Sequence, residues 1–138
     1  MRRILYATLA LLTLTACDGS AASPQAGAAG AAPSSASITD CGTFTLPLGE
    51  SLPGAAAQCL VDAARAGRAA RLMVTQSTDE GDPIPVTYTA GTDRTVEVIT
   101  DSRQDKFGVK VVTRQVCTGP VATNGGLDFA ECSPSTPI

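Results

Sequence analysis

From Ala70 onward the apolar residues fall two apart, and this alternation constrains the fold more than any other feature of the chain. Ala70, Leu72 and Val74 alternate with Arg71, Met73 and Thr75. Ile84, Val86 and Tyr88 alternate with Pro85, Thr87 and Thr89, and Val96 and Val98 with Thr95 and Glu97. A period of two sends successive side chains to opposite faces, so each run predicts a half-buried strand. Turn-forming residues separate the runs. The first turn is the acidic stretch Thr78-Asp79-Glu80-Gly81-Asp82, the second is Ala90-Gly91-Thr92-Asp93, and the third covers residues 102–108. A fourth strand rich in Val and Thr is expected over 109–117, a loop over 118–126, and a short last strand over 127–132 ahead of a Pro-rich tail. Short turns between consecutive strands predict an antiparallel meander. Pro83 and Pro85 lack N–H groups on the same side of their strand, so the ladder on that side is expected to start only near Val86.

Upstream of Ala70 the period becomes helical. A helix is predicted over 52–66, with Ser51 as its N-cap and Pro53 in its first turn, where a missing N–H costs nothing. Ala56, Cys59, Leu60, Ala63 and Ala64 form its apolar face. Arg65 suits the last turn and Gly67 the position just beyond. Residues 41–46 read as a short extended entry, with Phe44 and Leu46 on one face. The expected class is α+β: one main helix packed on a four- to five-stranded antiparallel meander, braced by two disulfides.

The first residues read as an export signal. Arg2 and Arg3 precede an apolar run over 4–14, too short for the roughly twenty residues that a membrane-spanning helix needs. The run ends in Leu14-Thr15-Ala16-Cys17, which resembles the signal of bacterial lipoproteins, whose cysteine receives a diacylglycerol. The resemblance implies lipid (palmitate included) on Cys17, a membrane as the first partner, and an extracytoplasmic place in the cell envelope. Residues 18–37 are almost all Ala, Gly, Ser or Pro and offer nothing to bury, so they read as a flexible tether with a reach of roughly 25 Å. The expected organisation is a signal peptide over 1–16, a lipidated Cys17 and tether over 17–37, and a folded domain over 38–138.

Besides Cys17 there are four cysteines: Cys41, Cys59, Cys117 and Cys132. An even number in an exported domain predicts two disulfides. Three connectivities are open to them, and Cys41–Cys59 with Cys117–Cys132 is favoured because each then links neighbouring elements.

The chain contains no histidine and no tryptophan, which excludes a histidine-based triad and histidine-ligated metal. Disulfide-bonded cysteines supply no thiolate. Without Arg2 and Arg3 the 13 acids face 8 of the 10 bases, and the resulting net charge of about −5 argues against nucleic acid as a partner. Arg65, Arg68 and Arg71 cluster, but near an expected helix end, where cations suit the dipole. Phe44, Tyr88, Phe107 and Phe129 are assigned to the core. No enzymatic role is expected.

The motifs Thr78-Asp79-Glu80-Gly81-Asp82-Pro83-Ile84 and Asp105-Lys106-Phe107-Gly108 resemble an uncharacterised bacterial family of small secreted proteins and lipoproteins, over about residues 55–132. Its hallmark is T-x-E-G-D-P-I followed by D-x-F-G, and the resemblance implies a fold and an exported location without an activity. The chain is more faintly similar to subtilisin-inhibitor-like proteins, although the cysteine expected just before a reactive loop is absent. That similarity implies an alternative function, a serine protease inhibitor presenting residues 118–126.

In a meander the first and third turns share one end of the sheet. Asp79, Glu80 and Asp82 would then converge with Asp101 and Asp105, an all-oxygen donor set of the kind that suits Ca²⁺. Turn chemistry accounts for the same residues, because Asp side chains satisfy turn amides and Arg103 and Lys106 lie nearby. The sequence reading is therefore a lipid-anchored envelope protein, binding or structural in role, with no organic cofactor. A Ca²⁺-binding module is a further alternative, and the protein partner is left open.

Overall fold

The structure is a computed structural model and describes residues 37–138. The signal peptide, Cys17 and the tether as far as residue 36 lie outside the described residues. The elements are β1 (Thr39–Leu46), α1 (Gly54–Arg65), β2 (Ala70–Ser77), β3 (Pro83–Ala90), β4 (Val96–Asp101), β5 (Val112–Ala122), β6 (Leu127–Cys132) and β7 (Thr136–Pro137).

The alternation at Ala70, Leu72 and Val74 does what its period demands: all three are buried, while Arg71 and Met73 between them are exposed. Across the ladders Leu72 pairs with Tyr88 and Tyr88 with Val98, which puts one apolar row across three strands. Pro83 and Pro85 pair with β2, but the ladder between β3 and β4 opens only at Val86, opposite Thr100. The proline nitrogens therefore face a side with no strand to serve, as their spacing requires.

The expected class is overturned. The described residues form one seven-stranded sheet in the order β1-β2-β3-β4-β5-β6, with β7 also paired to β5, against a single 12-residue helix. It is mostly β, and the sheet is mixed rather than a pure meander, because β1 pairs with β2 in parallel. Two segments account for the difference. The entry segment, extended by its Thr and Phe residues, joins the sheet as an edge, and parallel neighbours need a crossover, which α1 supplies. The tail also returns to the sheet: Thr136 pairs with Arg114 and Pro137 with Thr113.

The helix is shorter than expected. It begins at Gly54, and Pro53 rather than Ser51 occupies the N-cap, without a side-chain cap. Pro53 has ψ 127, an extended conformation that stops the helix from starting earlier. Its C-terminus closes as the sequence suggests. The Gly67 N–H donates to the Ala64 carbonyl at 3.1 Å and the Arg68 N–H to the Ala63 carbonyl at 2.9 Å, with Gly67 at φ 61. This is the Schellman arrangement, which favours glycine at the left-handed position. Ala56, Ala57, Leu60, Val61, Ala63 and Ala64 are buried. These small side chains let α1 lie close to Leu72, Val74 and Val96 in the core.

The strand β5 is longer than expected and runs to Ala122 through Gly119 and Pro120. Its buried positions Cys117 and Pro120 are three apart, and Gly119 between them has φ 60. This glycine changes which face the chain presents, so the β5–β6 hairpin reaches back toward α1. There the Arg65 guanidinium donates to the Pro120 carbonyl at 3.4 Å.

Two disulfides brace these junctions. Cys41–Cys59 ties β1 to α1, and Cys117–Cys132 joins directly opposed residues of β5 and β6.

Candidate functional site

The β2–β3 turn is built by its own residues. The Thr78 N–H donates to the Asp82 carbonyl and the Gly81 N–H to the Thr78 carbonyl, both at 2.9 Å. The Asp82 N–H donates to Thr78 Oγ1 at 3.0 Å, and Gly81 takes φ 83, which the turn requires. This geometry points the Asp82 side chain inward. Asp82 is 2 % exposed and is the one buried charged residue among the described residues.

Its partner lies 24 residues further on, in the loop between β4 and β5. Lys106 Nζ sits 2.7 Å from Asp82 Oδ1, and the Lys106 N–H donates to Oδ2 at 2.9 Å. One carboxylate thus receives a cation and a backbone amide from the same residue. The Lys106 ammonium holds the Asp82 carboxyl below the usual carboxylate range, assisted by the Lys106 amide, and Lys106 itself is raised by Asp82. The first and third turns do share one end of the sheet, and this ion pair latches them together.

The remaining acids of the loop are engaged locally. Asp101 accepts from the Arg103 N–H at 3.0 Å and Nε at 2.9 Å, and its Oδ2 is 2.6 Å from Arg103 Nη2. The Arg103 guanidinium pulls Asp101 down to about 2. Asp105 Oδ1 accepts the N–H groups of Phe107 at 2.9 Å and Gly108 at 2.7 Å. A Cβ on Gly108 would meet the Asp105 carboxylate, so a larger residue there would have to displace the side chain that caps the turn. Asp79 and Glu80 stand exposed at the apex of the β2–β3 turn.

Asp79, Glu80, Asp82, Asp101 and Asp105 therefore lie at one pole without forming a shared donor set. Among the described residues no group of three or more His, Cys, Asp or Glu is placed to hold a metal ion. Asp82, Asp101 and Asp105 turn toward the amides and cations that their own turns supply.

Phe107 requires a correction. Its aromatic ring is expected in the core, yet the residue is 78 % exposed, and Val109 beside it is 79 % exposed. Asp105 fixes the backbone beneath Phe107 and Lys106 is drawn to Asp82, so the side chain between these anchors is turned outward. The motif held that signal: an Asp followed two and three residues later by Phe and Gly predicts an Asx-type turn with the Phe at its tip. Tyr88 and Phe129 do meet, their rings stacked at 6.3 Å, and Phe44 packs against the core.

The reactive loop expected over 118–126 is corrected too. Residues 118–122 continue β5 and are paired with β6 from Glu131 to Leu127, which leaves only 123–126 as a hairpin turn. Cys41, Cys59, Cys117 and Cys132 are all engaged in disulfides, and Cys17 lies outside the described residues.

Comparison with known proteins adds two findings. A domain of unknown function, DUF4362, matches residues 57–125, half of the chain, from the first turns of α1 to the β5–β6 hairpin. Both latched turns fall inside that span. The prokaryotic membrane lipoprotein lipid attachment site matches residues 1–17, ending on Cys17. No curated protein and no solved structure matches the chain. With the lipid attachment site at its N-terminus, the chain is a lipid-anchored, membrane-associated protein, and it belongs to the DUF4362 family of domains of unknown function.

Proposed function

We propose that the domain is a binding module of the cell envelope, held on the extracytoplasmic side by lipid on Cys17, with the latched acidic pole as its working surface. The observation that carries this reading is the pair of exposed apolar side chains, Phe107 and Val109, on a loop whose backbone is fixed from beneath. An aromatic side chain held out on a rigid loop loses little entropy on contact, which is the property of interface hot spots. Asp79 and Glu80 beside it would favour a protein partner with a basic rim.

The pole is also well placed to reach a partner. β1 starts at Thr39 beside Ala70 and runs parallel to β2, so the chain enters at the end opposite the acidic turns. Eight residues at about 3.3 Å each place the Phe107 loop roughly 25 Å beyond that entry point. The reading is non-enzymatic. Asp82 and Asp101 are both shifted down, whereas a carboxylic general acid needs an upward shift.

The test is a photoreactive side chain placed at 107 and, as a control, at the exposed position 58 of α1, in cells making the lipidated protein. A protein adduct specific to 107 is expected. Identical adducts from both positions, or adducts to lipid alone at 107, would defeat the proposal.

A further inference from the structure

The end of the domain where the chain enters carries a group of exposed arginines. Arg65 closes α1, Arg68 follows the Schellman turn, and Arg94 sits in the β3–β4 turn at φ 66. Gly67 lies against that turn, since a Cβ on it would meet the Thr92 carbonyl at 3.0 Å. Arg65 and Arg94, with Gly119 and Pro120, line one surface concavity of about 300 Å³. Arg71, at the start of β2 on its outer side, adds a fourth cation at the same end.

The carboxylates at this end, Asp40, Asp62, Asp93, Asp128 and Glu131, keep their charge, but none of them forms an ion pair with these arginines. Asp93 accepts from Thr95 N–H at 3.1 Å and Oγ1 at 2.8 Å, Asp40 accepts the Gly42 N–H at 2.9 Å, and Asp62 accepts from Gln58 at 2.7 Å. The ion pairs among the described residues involve Arg103, Lys106 and Arg114 and none of these four arginines. This is more than a helix end needs, because the dipole is complemented by Arg65 alone.

The backbone N–H of Thr39 donates to the Ala69 carbonyl at 2.9 Å, so the segment leading back to the lipid attachment site leaves from this end. Only residues 18–38 separate it from Cys17. We infer that Arg65, Arg68 and Arg94 form a docking face for anionic phospholipid headgroups of the membrane that carries the protein's own lipid, so that the domain stands on its basic end with the Phe107 loop outward. Guanidinium groups suit phosphate by their planar fork of donors. The anchor already holds the face close to the surface, so docking is an intramolecular step that weak contacts suffice to bias. Each arginine near an anionic surface shifts the ratio of docked to undocked domain about fivefold, and the three together on the order of a hundredfold.

The test uses the full lipidated protein in bilayer nanodiscs of phosphatidylcholine, with or without phosphatidylglycerol, carrying a trace of headgroup-spin-labelled lipid. In the anionic discs the amide signals of Gly67, Arg68 and Arg94 are expected to broaden more than those of Phe107 and Gly108. The bias should vanish in neutral discs, at about 1 M salt, where the screening length falls to about 3 Å, and in the Arg65→Gln/Arg68→Gln/Arg94→Gln variant. Equal broadening at both ends, stronger broadening at Phe107, or a bias that survives charge removal would each overturn the inference. The lipid and salt arms need no variant to fold. A failure here leaves the Phe107 reading standing, since that reading concerns the other end of the domain.

Discussion

The two disulfides offer a quantitative test of what holds this domain together. Cys41 and Cys59 are 18 residues apart and Cys117 and Cys132 are 15 apart. If each acts by restricting the unfolded chain, loop-closure entropy assigns about 3.2 kcal/mol to the first and about 3.0 kcal/mol to the second at 25 °C. The two are then nearly equal, although their native settings differ. The first holds an edge strand to a helix, whereas the second joins residues already opposed in a hydrogen-bonded ladder. We expect Cys41→Ala/Cys59→Ala and Cys117→Ala/Cys132→Ala each to lose about 3 kcal/mol in urea unfolding of the mature chain. For about 100 structured residues that corresponds to a fall in Tm of about 12–24 °C. Alanine is the replacement of choice at 117, where the residue is 1 % exposed and a hydroxyl would be buried without provision. A difference between the two variants above about 1.5 kcal/mol would refute the entropic reasoning and show that native packing at one junction dominates.

Leu60→Ala empties a site with no solvent exposure between α1 and the sheet and should cost about 2–5 kcal/mol by chemical denaturation. Gly67→Ala forces an L side chain into φ 61 against the Thr92 carbonyl and should cost about 1–2 kcal/mol, with hydrogen exchange accelerating first at the end of α1. Asp82 and Asp101 titrate below their unfolded values, so their stabilisation is complete above about pH 4 and is lost as pH falls through the folded values, about 2 for Asp101. Tm should therefore drop between about pH 4 and pH 2, and less steeply in Lys106→Met, where Asp82 has lost the cation that lowers it.

The local pattern of this protein was written plainly in its sequence. Alternation at Ala70, Leu72 and Val74 identified β2 and its buried face, and the two prolines after the acidic turn located where β4 begins to pair. Gly67 marked the helix end because only a residue tolerant of positive φ closes a Schellman turn. What period alone does not encode is which strand a strand pairs with. Residues 41–46 read as extended, but nothing in Phe44 or Leu46 says whether their neighbour is parallel. Pro120 read as a loop breaker. It is accommodated because β4 pairs with β5 only as far as Cys117, which leaves the later part of β5 with an open side for a nitrogen that has no hydrogen. The acidic pole was visible from turn order. The destination of each carboxylate was not, because it depends on Lys106 reaching across from another turn and on Arg103 reaching back two residues.

The edge position of β1 has a consequence for how copies of this protein share a surface. A strand at the margin of a sheet presents free backbone donors and acceptors, and lipid anchoring confines neighbouring copies to a plane, where their margins meet often. Between Asp40 and Thr43 the register of β1 shifts, Gly42 takes φ 107, and its N–H is claimed by the Asp40 carboxylate at 2.9 Å. A kinked margin carrying a charge is a poor template for another strand. The register shift in β1 thus discourages strand-to-strand pairing between copies held in one membrane.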